Sequence, residues 1–278
     1  MFVDLERLVQ EYWRAAASGI QSNRRGQIVD SSKFGRATRG APTPHCTAPF
    51  QTMSSPANFN GSKPTINSDD AVILLIDHQS GLFQLVEDTP MSRVRANVTV
   101  LAKAATLANI PVITTASVPQ GPNGPMIPEI QQYARHATYV PRRGEIDAWD
   151  NPEFVAAVKA TGRHTLIMAG VLTSVCVAFP AIAAAHDGYK VFAVFDASGD
   201  YSKMAQEVTL ARLMQAGVVP IDTAAALAEV QGTWNRGDAQ AWAELFACVA
   251  PSYQLLLESH HNAQEVERNQ EPLDSQRK

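Results

Sequence analysis

The chain has 278 residues, a net charge of −4 and 45% hydrophobic residues. That is room for one sizeable α/β domain or two small ones, with the composition of an ordinary globular protein. No apolar run approaches the roughly 18 residues that a membrane span needs, and the acidic balance gives no general case for nucleic-acid binding.

Residues 1–68 stand apart from the rest. Leu5, Leu8, Val9, Tyr12 and Trp13 fall at helical spacing, which predicts a short amphipathic helix. Residues 18–69 are rich in Ser, Gly, Pro, Asn, Thr and Arg, have no sustained periodicity, and read as disordered or loosely attached. Residues 1–52 carry seven Lys/Arg and four Asp/Glu, a net of +3, which leaves −7 for the remainder. No secretory signal is expected, because Asp4, Glu6 and Glu11 interrupt any apolar core. A basic leader ahead of an acidic domain admits two readings: an organellar transit peptide, against which the early acids count, or an extension preceding a start at Met53.

A domain is expected over residues 69–258. Ala71-Val72-Ile73-Leu74-Leu75-Ile76 is a continuous apolar run, the pattern of a strand buried on both faces. It ends in Asp77-His78-Gln79-Ser80-Gly81, which lacks the G-x-G-x-x-G of a dinucleotide site; no Walker A pattern is present either. Helical spacing follows from Val94 to Leu107, then a second strand over 111–116. Residues 119–125 are dense in Pro and Gly, a loop too long for a tight turn and placed where loops shape sites.

Residues 137–140 read as a short strand leading into Arg142, and Phe154 and Val158 mark the next helix. Residues 164–169 form a fourth apolar run. After it come Gly170-Val171-Leu172-Thr173-Ser174-Val175-Cys176-Val177 and a helix closed by Gly188. Strands are expected over 190–195 and 218–221, with helices over 204–215, 223–230 and 239–249. Residues 259–278 read as a polar tail. Alternating helices and non-alternating buried strands predict a three-layer αβα fold around a parallel, six-stranded sheet.

Ligands bind such sheets at the carboxyl ends of the strands. Those ends supply Asp77, Arg142 and Cys176. A thiol at the start of a helix feels the positive end of the helix dipole, which predicts a stabilised thiolate. Asp77 can serve as its base, Arg142 as fixed positive charge, and the backbone of the 172–176 turn as an oxyanion hole. The bland alternatives are a buried hydrophobic Cys176, an Asp77 that only caps or pairs, and an Arg142 that only anchors a carboxylate. The three cysteines, Cys46, Cys176 and Cys248, are widely spaced and odd in number, which fits neither a disulfide framework nor a CxxC zinc site. That pattern points to a reducing, cytoplasmic compartment.

Three stretches carry a resemblance to a known family. They are the strand-end Asp77; Arg142-x-Gly144-x-Ile146-x-Ala148-Trp149-Asp150-Asn151; and Ala169-Gly170-Val171-x-Thr173-x-Val175-Cys176-Val177-Ala178-Phe179-Pro180. Together they resemble the isochorismatase-like cysteine hydrolases, and among these the YcaC-like subgroup. The resemblance runs from about Asp69 to about Tyr253 and includes Gly121-Pro122-Asn123-Gly124-Pro125 and Asp196-Ala197-Ser198-Gly199.

The resemblance implies the isochorismatase-like αβα fold of Rossmann-like topology and an Asp-Lys-Cys triad, falling here on Asp77, Arg142 and Cys176. Most of the superfamily has Lys at the second position, and Arg is not a conservative exchange. It implies a cis peptide between Val171 and Leu172, oxyanion donors at Leu172 and Cys176, a small-molecule substrate and a homo-oligomer. Cysteine-bearing relatives hydrolyse C–N bonds, so an amide or carbamate is the expected substrate. Some relatives, the nicotinamidases, bind zinc through an Asp/His cluster; no D-x-H signature follows the first strand, so neither metal nor cofactor is expected. Gln79, Phe83, Asn123 and Trp149 are expected to line the pocket. A catalytically weak oligomeric scaffold and a thiol-based redox protein remain as alternative functions.

Overall fold

A computed structural model describes residues 56–270. The expected helix around Leu5–Trp13 and most of the 1–68 leader lie outside the described residues. Six strands form one all-parallel sheet: β1 Ala71–Ile76, β2 Val112–Ser117, β3 Thr138–Arg142, β4 Thr165–Gly170, β5 Lys190–Val194 and β6 Val219–Ile221. Their spatial order is β3-β2-β1-β4-β5-β6. All six residues of β1 and of β4 are buried, as continuous apolar runs require when helices cover both faces.

Eight helices are described: α1 Met91–Leu107, α2 Pro128–Tyr133, α3 Pro152–Ala160, α4 Ala178–His186, α5 Lys203–Gln215, α6 Thr223–Gln231, α7 Ala239–Val249 and α8 Pro251–Arg268. Side chains set several of their starts. Asn151 accepts from the Phe154 N–H at 2.8 Å, and Asp222 from the Ala225 N–H at 2.8 Å. Among the described residues no helix is long and apolar enough to cross a membrane.

Alternation along β1 divides the core into two layers. Ile73 and Leu75 face Val98 and Leu101 of α1. Val72, Leu74 and Ile76 face Phe154 of α3 and Ala181 of α4 on the opposite side. A satellite cluster seats the fully buried Trp242 of α7 against Val100 and Ala104 of α1.

The core reaches outside the expected 69–258 boundaries. Phe59 is 2% exposed and meets Phe192 of β5 edge-on, and Ile66 is also buried. The Asn58 amide donates to the carbonyls of Ala185 and Tyr189. An isolated aromatic in a polar, Pro-rich stretch shows no periodicity, so the sequence reading places it in the leader. The helix α8 likewise runs past residue 259 to Arg268, with no residue buried.

Candidate active site

The site lies where the sheet order reverses. From β1 the chain goes out to β2 and β3, then returns to pair β4 on the other side of β1. Ligand sites form at such a crevice, at the carboxyl ends of the strands. Register does the positioning. Ile76 of β1 lies beside Thr115 of β2 and beside Gly170 of β4, and Ser117 of β2 lies beside Arg142 of β3. One residue past β1 is Asp77, with a left-handed φ of 54°. A short polar side chain tolerates that conformation best among residues other than Gly. Close approach at the seam also needs Gly170: a Cβ there would stand 2.5 Å from the Ile76 carbonyl oxygen.

Asp77 and Arg142 are both 2% exposed. The Arg142 Nη2 donates to Asp77 Oδ2, and Ser117 N–H donates to Asp77 Oδ1 at 3.0 Å. The Nε and Nη1 donors of Arg142 are also engaged. Nε donates to the Thr115 hydroxyl at 3.0 Å, and Nη1 to the carbonyls of Glu145 and Ile146. Such a fork holds a carboxylate in a fixed orientation, which a single ammonium does not.

Cys176 sits in a single π-type turn, Thr173–Val177, immediately ahead of α4. The Val171–Leu172 peptide bond is cis. The Asp77 carboxylate faces the Cys176 thiol, so Asp77, Arg142 and Cys176 come together. The protonation state differs from the sequence expectation. Burial pushes the thiol well above the ordinary cysteine range, and the Asp77 carboxylate pushes it further; the Leu172 N–H and the Arg142 charge oppose this and are outweighed. The buried sulfur beside a carboxylate favours the thiol form over a thiolate stabilised by a helix dipole.

The two expected oxyanion donors stand differently. Leu172 N–H faces the sulfur and favours its charged form. Cys176 N–H is engaged with the Leu172 carbonyl at 2.8 Å in the resting turn.

The expected pocket residues divide as well. Gln79 is fully buried. Its amide oxygen accepts from Ser117 N–H at 3.0 Å, while its NH₂ donates to the carbonyls of Ser117 and Gly124, so it braces the 119–125 loop. Phe83 is 3% exposed and belongs to the core. Asn123, half-buried, donates to the Ser117 carbonyl at 3.3 Å and keeps the loop beside the end of β2. Trp149 is not in the group. Its ring packs edge-on against Phe154 and Tyr189, and its indole N–H reaches Asp187 at 2.9 Å, beyond the far end of α4 from Cys176. Its place after β3 suggests a site, but the chain has turned back along α4 by that point.

Sequence reasoning missed the supports of the Cys176 turn. Ser174 donates through N–H and Oγ to the carboxylate of Asp200, which is fully buried. Asp200 N–H donates in turn to Asp88. Burial and the nearby Asp200 charge raise the Asp88 carboxyl above its usual range. The only signal was the run Asp196-Ala197-Ser198-Gly199-Asp200 at the end of β5. Thr115 was equally silent, one of three hydroxyl residues in β2. A cleft of about 320 Å³ opens between β3, α2 and the 119–128 loop, lined in part by Met126, Ile130 and Tyr139; no triad residue lines it. Among the described residues no group of three or more His, Cys, Asp or Glu side chains converges as a metal site.

A six-stranded parallel sheet carrying a thiol, a carboxylate and a buried guanidinium at its switch point defines an α/β domain with a candidate nucleophilic site. The Isochorismatase domain family matches residues 71–225. A curated relative, "Probable hydrolase YcaC" of Escherichia coli (strain K12), is 42% identical over 201 residues, covering 72% of this chain and 96% of its own. The crystal structure of the E. coli YcaC gene product, described as an octameric hydrolase of unknown specificity, superposes with a TM-score of 0.69 at 41% identity, covering 72% of this chain and 97% of that one. YcaC from Pseudomonas aeruginosa, solved with hexane-2,5-diol and covalent acrylamide, gives the same TM-score at 40% identity, covering 71% and 97%. The chain belongs to the isochorismatase family of hydrolases.

Proposed function

We propose that the chain is a cysteine hydrolase that cleaves a C–N bond of a small amide or carbamate through a thioester on Cys176. The observation that carries this reading is the Cys176 thiol set beside an Asp77 carboxylate that Arg142 and Ser117 hold in place. A protonated thiol beside a fixed carboxylate suits general-base activation at the moment of attack.

Asp77 takes the thiol proton as the sulfur adds to the substrate carbonyl carbon. The C=O electron pair moves onto oxygen, where Leu172 N–H stabilises it; Cys176 N–H joins by sharing its bond to the Leu172 carbonyl. Collapse of the tetrahedral adduct breaks the C–N bond, and the proton on Asp77 leaves with ammonia or an amine. Water then gives a proton to Asp77 and its oxygen to the thioester carbon. The C–S bond breaks, the acid product departs, and the proton returns to sulfur. Arg142 transfers no proton in this scheme. Its charge stays fixed, and its donors keep the Asp77 carboxylate aimed at the sulfur.

The covalent acrylamide in the P. aeruginosa relative fits a family site reactive toward small electrophilic amides. The octameric description of the E. coli relative supports a homo-oligomer here too. We place the protein in the cytoplasm, where Cys176 stays reduced.

The test is ammonia release from a panel of small amides and carbamates. Turnover abolished by Cys176→Ala and by Asp77→Asn is the expected result. Turnover that survives Cys176→Ala rejects the mechanism, and no turnover on any compound moves the reading to an oligomeric binding scaffold.

A further inference from the structure

The segment after β5 does more than end a strand. Ser198 Oγ accepts from Gly170 N–H at 3.1 Å, Gly199 bridges to Val171, and the Gly199 carbonyl accepts from Thr173 N–H at 2.9 Å. Asp200 follows, with its carboxylate taking Ser174 N–H at 2.8 Å, Ser174 Oγ at 2.9 Å and Tyr201 N–H at 3.0 Å. Asp200 is itself clamped by backbone. Its carbonyl accepts from Glu87 and Asp88 N–H, and its N–H donates to Asp88 Oδ1 at 2.9 Å.

The consequence lies in which amides of the nucleophile turn remain available. Thr173 N–H is taken by Gly199 and Ser174 N–H by Asp200, while the N–H groups of Val175 and Cys176 return to the Leu172 carbonyl. Leu172 N–H is the donor left to face the sulfur. If the turn rotated about Ser174, the Leu172 N–H would lose its aim and a neighbouring N–H would compete for the sulfur. A buried carboxylate accepting two bonds from one residue resists that rotation, because each buried acceptor left without a donor is costly.

We propose that Asp200 is a positioning residue that acts through Ser174: it holds the turn in the one orientation in which Leu172 N–H meets the Cys176 sulfur. Asp200 touches neither substrate nor sulfur in this role. Its effect reaches the chemistry as the hydrogen bond that favours the sulfur's charged form. The proposal rests on the reading of Cys176 as the nucleophile, and the experiment separates the two.

The full-length protein and its Asp200→Asn and Ser174→Ala variants are alkylated with iodoacetamide across about pH 6 to about pH 10, and adduct at Cys176 is counted by mass spectrometry. Far-UV circular dichroism and thermal melting establish which variants are folded. In folded Asp200→Asn the rate–pH curve moves to higher pH, with alkylation at about pH 8 slowed at least threefold or so, because less thiolate is present. Ser174→Ala, which keeps the N–H bond to Asp200, shifts the same way by less. A structural role alone lowers the melting temperature and leaves the curve of the folded fraction where it was. Folded variants with an unchanged curve overturn the proposal, and Ser174→Ala decides if Asp200→Asn does not fold. If wild-type Cys176 takes no label at any pH, the nucleophile reading itself falls, a result distinct from an unshifted curve.

Discussion

Arg142 donates to Asp77 with both side chains sealed from solvent, 0% and 2% exposed. Removing one member of such a pair leaves the other buried and uncompensated, which costs about 3–5 kcal/mol. Arg142→Ala should therefore lose roughly that much in urea unfolding. Arg142→Lys keeps a charge but gives up the bonds to Thr115 and to the Glu145 and Ile146 carbonyls, so its loss should be smaller, about 1–3 kcal/mol. Equal losses for the two variants would show that the fork geometry contributes nothing.

Asp77→Asn should separate thiol acidity from catalysis. Asp77 raises the Cys176 pKa through its charge and through its hydrogen bond, so its removal lowers that pKa. More thiolate is then present at neutral pH, and iodoacetamide alkylation should begin at a lower pH than in the wild type. Amide turnover should nonetheless fall by at least about 100-fold, because the general base is gone. Alkylation and turnover falling together would contradict the assignment of Asp77 as base.

Stability should decline on the acid side because of His78. Its ring is fully buried, its Nε2–H donates to the Ala197 carbonyl at 3.0 Å, and burial depresses its pKa to about 4. The unfolded chain takes up this proton near pH 6.5 and the folded one only near 4. The folded state is therefore favoured above about pH 6.5 and loses that advantage as pH falls through this window, by about 3 kcal/mol in all. Urea midpoints at several pH values should show the slope, and His78→Gln, less stable at neutral pH, should flatten it.

Trp149→Phe should leave alkylation and turnover of Cys176 unchanged while reducing stability by about 1 kcal/mol, the worth of one hydrogen bond, here to Asp187. A change in KM for any amide would return Trp149 to the substrate site.

Phe59→Ala should cost about 3–5 kcal/mol, as expected for emptying a fully packed aromatic position. A chain shortened to begin at Asp69 loses both Phe59 and Ile66, and its melting temperature should fall accordingly. An unchanged melt would put the domain's edge at the first strand.

Continuous apolar runs made the central strands β1 and β4 legible, because strands buried on both faces leave little room for polar residues. The helix Pro128–Tyr133 was not legible: it buries only Ile130 and has no stripe to read. Phe59 and α8 escaped for the complementary reasons, one a lone aromatic and the other a helix with no buried face. In the site, Asp77, Arg142 and Cys176 could be found because each lies at or beyond the carboxyl end of a strand. The grip of Asp200 on Ser174 spans 26 residues and exists only after folding. The direction of the Cys176 pKa was misread for the same reason. A helix start is visible in a sequence, whereas burial and a facing carboxylate are properties of the assembled sheet.

The strand order places β1, β2 and β3 on one side of the β1–β4 seam and β4, β5 and β6 on the other. On a ribosome, the first half emerges with Asp77 and Arg142 and no nucleophile. The second half supplies a thiol that has no base of its own. The pairing of base and thiol that amide cleavage requires therefore waits until six residue pairs zip along one seam, and an incompletely folded molecule carries a cysteine without its base.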